Sequence, residues 1–336
     1  MRFSSLAQLG ALAVSVNAIE THGGIDFEVF WDKDAPAEEK PIRDFYQEES
    51  VKIGAKRLHE RIESSGIGAS CLDDAANQGD DLESFYNLKD CLAAQDENIF
   101  FDLFSEDIDE ADAFWKQVIA ESTKPRKDWI AARAYVKCYF DGALTAEEFA
   151  GWSSSPPADE AYLRGNVEHY YKLTEETGLL TQASHIFEGW GGVLSDKFGT
   201  KLTNFTVPEY KPRVFGLDPN YPIEWAISPL FGLLQRAGPK VLRSGETWGV
   251  LHIGARNFLA LEGSTGKSGI EIYGAVWYPP WDQSSEENQK EFKENFLMDE
   301  DYQVVAEIVN FSLQALEDCK DGGCGLLGLD EAEAQT

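Results

Sequence analysis

Apolar residues recur at three- and four-residue intervals over residues 45–62, 111–119 and 129–140, with Trp115, Trp129, Tyr135 and Val136 as the bulky anchors. That spacing predicts helices. Short acidic loops join them, so the first part of the chain reads as a bundle. Ser153-Ser-Ser-Pro-Pro157 interrupts the pattern and marks a boundary. Beyond it, 166–180 and 223–237 return to helical spacing, and 201–220 reads as a Pro-punctuated loop or edge strand.

A different pattern occupies 248–262 and 270–278. Both stretches are rich in β-branched and aromatic residues, and they flank the glycine-rich 263–269. They predict an antiparallel hairpin that ends at Pro279-Pro280. From 285 to 318 the helical period returns, with Phe292, Phe296, Val304, Ile308, Phe311 and Leu316 near one face. The fold class expected is therefore α+β: a helical N-terminal region, then an α+β domain with an antiparallel hairpin and a long C-terminal helix. The boundaries expected are a signal peptide at 1–18, an acidic, mainly helical region at 19–152, the α+β domain at 158–320 and a flexible acidic tail at 321–336.

The leader reading rests on an apolar run from Leu6 to Val16, preceded by Arg2 and followed by small residues that suit cleavage after Ala18. Acidic residues follow at once, which favours the secretory route over an organellar transit peptide. In an oxidising compartment the five cysteines gain meaning. Cys71 with Cys91 and Cys319 with Cys324 are the expected bridges, leaving Cys138 as a small buried hydrophobe on a helix. Asn204-Phe-Thr206 and Asn310-Phe-Ser312 match the N-glycosylation pattern, and Asn204 has the more loop-like context. The localisation expected is secreted or within the secretory lumen.

Charge divides the chain unevenly. There are 59 acidic and 29 basic residues, a formal charge of −30, which disfavours nucleic acids and anionic membrane surfaces as partners. Residues 151–281 hold 13 acids against 11 bases and 6 of the 9 tryptophans, so this near-neutral middle is where a small-molecule site is expected. No later window is long and apolar enough to span a bilayer. The sequence specifies neither a cofactor nor an oligomeric state.

Motifs narrow the chemistry mainly by exclusion. The run Leu261 to Ser268 resembles the end of a phosphate-binding loop but leads into β-formers rather than a helix, so a hairpin loop is the better reading. Asp141 to Phe149 resembles half a calcium loop, yet Lys137 and Tyr139 stand where carboxylates are needed, and a Thr145/Glu148 capping box accounts for the same residues. No metal-ligand spacing is present. His185 and Glu188 would share a face if helical.

His252 is the most informative histidine. On the expected strand it shares a face with Arg256, opposite an apolar face of Leu251, Ile253, Leu259 and Leu261. An even pairing would bring Tyr278 to the His252 face; an odd one would bring Tyr273 and Trp277. Arg256, Tyr273, Trp277 and Tyr278 are thus the candidate ligand-binding residues, and His252 with Glu262 the candidate catalytic pair. The function expected is a secreted acidic protein that binds a small polar or amphipathic ligand in its aromatic-rich middle, between the hairpin and the terminal helix. The alternatives are a secretory hydrolase using a His/carboxylate pair and an acidic interaction or storage protein without a pocket.

Overall fold

A computed structural model describes residues 15–31, 41–79, 81–178, 181–212, 234–320 and 324. Its centre is a nine-stranded antiparallel sheet. In chain order the elements are β1 (Ser15–His22), β2 (Ile25–Trp31), α1 (Ile42–Ser65), α2 (Leu82–Gln95), α3 (Ile99–Leu103), α4 (Ser105–Ala120) and β3 (Ile130–Cys138). Then come α5 (Ala146–Trp152), α6 (Pro156–Gly165), β4 (His169–Gly178), β5 (Thr181–Trp190), β6 (Lys201–Pro212) and β7 (Gln235–Leu242). The hairpin β8 (Thr247–Phe258) and β9 (Gly269–Tyr278) follows, and α7 (Glu286–Glu291) leads through a π-helical turn, Phe292–Phe296, into α8 (Leu297–Asp318).

The strand order is β1-β2-β3-β9-β8-β7-β6-β5-β4. β3 pairs with β9 from Ile130↔Tyr278 to Cys138↔Ile270, so one sheet draws strands from both sides of the Ser153–Pro157 break. The class is mixed α+β with a long C-terminal helix, and the helical N-terminal region is real only in part: α1 to α4 are helices, but strands precede and follow them.

Two stretches with helical spacing are strands. Residues 130–138 form the central strand β3, buried at every second position from Ala132 to Cys138. Ala131 and Tyr135 pack on its other face, so a strand apolar on both sides also satisfies a 3.6-residue period. Cys138 is accordingly on a strand. Residues 169–178 form β4, an edge strand whose Lys172, Glu175 and Glu176 keep that edge charged. Within 201–220, residues 201–212 are the interior strand β6; the rest of that stretch, like 223–233 and most of the 321–336 tail, lies outside the described residues.

α8 lies along one face of the sheet. Val304, Val305, Ile308 and Val309 join Ala134, Val136 and Ile272 in a common core. Gly274 permits the close approach, because a Cβ there would stand 2.8 Å from Val304 Cγ1. α1 braces α8, Tyr46 Oη donating to Gln303 Oε1 at 2.9 Å. α1 to α3 cover the opposite face of β4–β6, where Phe100 and Phe104 pack on Tyr170 and Phe187. Trp115 of α4 stacks on Tyr278 and donates to Thr203, closing one end of the space between sheet and α8.

Cysteine pairing follows the sequence reading. Cys71 bonds to Cys91 and Cys319 to Cys324, while Cys138 is free and buried. Burial pushes its thiol up to about 12. The Thr145/Glu148 capping box forms at the start of α5, and Lys267 of the glycine-rich loop pairs with Asp26 at 3.2 Å.

Candidate functional site

Between the sheet and α8 lies a cavity of about 210 Å³. Its floor is apolar: Ile186, Val207, Leu251, Ile253, Ile272 and Val276 come from four strands, and Val304, Ile308 and Phe311 face them from α8. Leu251 and Ile253 are only half-buried although they point inward, so the space is not filled by the protein's own side chains. Lined cavities of about 150 Å³ already admit a benzene-sized molecule.

Each end of this cavity is polar. At the inner end Lys240 Nζ lies 3.1 Å from Glu188 Oε1 and 3.4 Å from the Trp190 ring centroid, with Phe205 and Trp248 completing an aromatic surround. Tyr162 Oη donates to the other Glu188 oxygen. His169 stacks on Tyr162 at 3.8 Å, its Nδ1 meeting Tyr162 O at 3.0 Å and its Nε2 meeting Glu307 Oε1 at 2.9 Å. Both ring nitrogens are thus engaged by oxygen atoms.

The acids at the start of α8 explain the rest. Asp299 Oδ2 accepts the amides of Val193 and Leu194, and Asp301 accepts the amide of Arg133. Glu300 lies between them in sequence and points elsewhere, into the cavity. It is 1 % exposed, and among the described residues no group makes a well-aligned hydrogen bond to either of its oxygens, the Tyr278 hydroxyl lying close enough to interact with it. Burial pushes its carboxyl well above the usual range, the Lys240 charge opposes this, and Glu307 and Glu188 add to it. Burial likewise lowers Lys240, against the attraction of Glu188, and raises Tyr278, which also feels Glu300.

At the outer end stands Arg236. Its Nη1 donates to Ser154 Oγ at 2.8 Å and Gln182 Oε1 at 2.7 Å, and no carboxylate among the described residues pairs with it. The Tyr210 hydroxyl beside it has no partner and is raised by burial. Arg236 and Lys240 are four residues apart on β7, a separation of about 13 Å along a strand.

The residues singled out from sequence lie mostly on the other face of the sheet. The β8–β9 register is odd, His252 opposite Ala275, so Tyr273 and Trp277 share the His252 face and Tyr278 does not. His252 and Tyr273 rings are 6.1 Å apart in T-shaped contact. Tyr273 is among the cavity residues, but its ring packs against Tyr135 on the opposite face. Tyr278 joins the aromatic cluster at the closed end, beside Trp115 and Trp248. Arg256 is engaged by Glu262 and Glu271. Glu262 caps Leu259 N beyond the end of β8, roughly 20 Å along the strand direction from His252, so the structure does not bring that pair together. Leu259 and Leu261 are exposed.

His185 and Glu188 are on strand β5, where an odd separation puts them on opposite faces. His185 meets Asn204 Oδ1 at 2.6 Å and stacks on Phe101. Asn204 is therefore mid-strand rather than in a loop, and the Asn310 amide is engaged by Arg43 and Gly165. Apart from Glu188, singled out for its spacing from His185, the polar groups of the cavity escaped the sequence reading, with one legible trace. Glu300 sits four residues from both Phe296 and Val304, inside the apolar stripe of the terminal helix, where a carboxyl is out of place.

No protein-family model matches the chain, and no curated protein sequence matches it significantly.

Proposed function

We propose that this chain binds a small amphipathic molecule in the cavity between β5–β9 and α8. The observation that carries this reading is the unfilled apolar floor of Leu251 and Ile253, bounded at one end by the buried Glu300, whose oxygens lack a well-aligned hydrogen bond among the described residues. An apolar body on the floor removes surface from water, and a polar group at the end supplies the missing hydrogen bonds. The hydrolase alternative is less well supported. It needs His252 or His185 to meet a carboxylate in a pocket, and neither histidine lines the cavity. A pocketless storage protein would not leave about 210 Å³ unfilled.

We also propose that the protein works in the secretory lumen or outside the cell. The two disulfides support an oxidising compartment. Among the described residues no helix is long and apolar enough to cross a membrane.

Calorimetric titration with 1-dodecanol tests the binding reading. Saturable one-to-one binding is expected for the wild type and not for Ile253→Trp, which fills the floor. Equal binding by both proteins would move the ligand elsewhere, and no binding by either would remove the proposal.

A further inference from the structure

The two ends of the cavity leave different polar groups unused. At the inner end three carboxyls, Glu188, Glu300 and Glu307, gather about one ammonium, Lys240, with the His169 ring against Glu307. Lys240 is taken by Glu188 and His169 by Glu307, and the carboxyl left over is Glu300. At the outer end Arg236 is held by two neutral side chains and by no acid among the described residues. Buried polar groups are costly unless paired, so each end presents a group that the described residues leave without an oppositely charged partner of its own, the Glu300 carboxyl at one and the Arg236 guanidinium at the other.

We infer that the ligand is two-ended: an ammonium group paired with Glu300, an apolar chain on the floor, and a carboxylate paired with Arg236. This deepens the amphiphile reading and rests on it. A carboxylate at the inner end would add a fourth acid to three, whereas at Arg236 it can accept a forked pair of N–H donors. An ammonium at Glu300 lets that carboxyl ionise, and the proton it releases passes to solvent.

The probe is 12-aminododecanoic acid, compared with dodecanoic acid, dodecylamine and 1-dodecanol by calorimetry below their aggregation thresholds. The zwitterion is expected to bind about tenfold or more tighter than either single-ended ion. Arg236→Met should reduce it to the level of dodecylamine, with Arg236→Lys restoring part of the difference. Glu300→Gln should reduce it to the level of dodecanoic acid and abolish the proton release seen across buffers of different ionisation enthalpy. If a single-ended ion binds as tightly as the zwitterion, or if both variants weaken all four ligands alike, the two-ended inference is overturned while the amphiphile reading stands. If not even 1-dodecanol binds, the underlying reading fails with it.

Discussion

Lys240 and Glu188 meet across the strand that separates theirs: Nζ lies 3.1 Å from Oε1, and neither residue is more than 6 % exposed. Such a pair gains little over apolar packing, but either member alone is a stranded charge. Lys240→Met and Glu188→Gln are each expected to lose about 3–5 kcal/mol in urea denaturation. The double variant should lose clearly less than the sum of the two. Strict additivity would mean that the pair is not coupled.

Asp299 makes stability depend on pH in a direction opposite to that of most carboxylates. Burial raises it to about 7 from 3.8, against the pull of the Val193 and Leu194 amides, and Glu168 adds a small push. Its contribution to stability is therefore complete below about pH 4 and lost as pH rises through 7. Asp299→Asn keeps an acceptor for both amides and does not ionise. Relative to wild type it should gain stability between pH 4 and pH 8, by up to about 4 kcal/mol at the full shift. A difference between the two proteins that stays constant with pH would show that Asp299 titrates normally.

The cysteines give a counting experiment. Native protein should take up no iodoacetamide, since Cys138 is buried with its thiol pushed up to about 12. In denaturant one adduct is expected without reductant and five with it, from one free thiol and two bridges. Replacing Cys71 and Cys91 together by Ser should cost about 3 kcal/mol, because their bridge closes a separation of 20 residues. Five adducts without reductant would remove the bridges and the argument for an oxidising compartment.

What was legible in the sequence was local. The β8–β9 hairpin announces itself by β-branched residues on either side of a glycine-rich loop, α8 by a long apolar stripe, and both bridges by loop length. β3 was misread because Ala-Ala-Arg-Ala-Tyr-Val is apolar on two sides, so periods of 2 and 3.6 fit equally until its neighbours β2 and β9 decide. The place of the cavity, between the hairpin and the terminal helix, was expected, but its polar ends were not legible. They depend on Lys240 reaching Glu188 across β6 and on Asp299 and Asp301 finding amides while Glu300 does not, and such long-range matters have no local pattern.

The account turns on a ligand chain lying in the space between the sheet and α8, and bromine on such a chain quenches only the tryptophans it touches. Among the described tryptophans, Trp152 and Trp190 line the cavity. Titration with 12-bromododecan-1-ol should quench fluorescence saturably in the wild type, with most of the effect gone in the Trp152→Phe, Trp190→Phe double variant. Quenching that persists undiminished in the double variant would place the chain elsewhere and contradict the account.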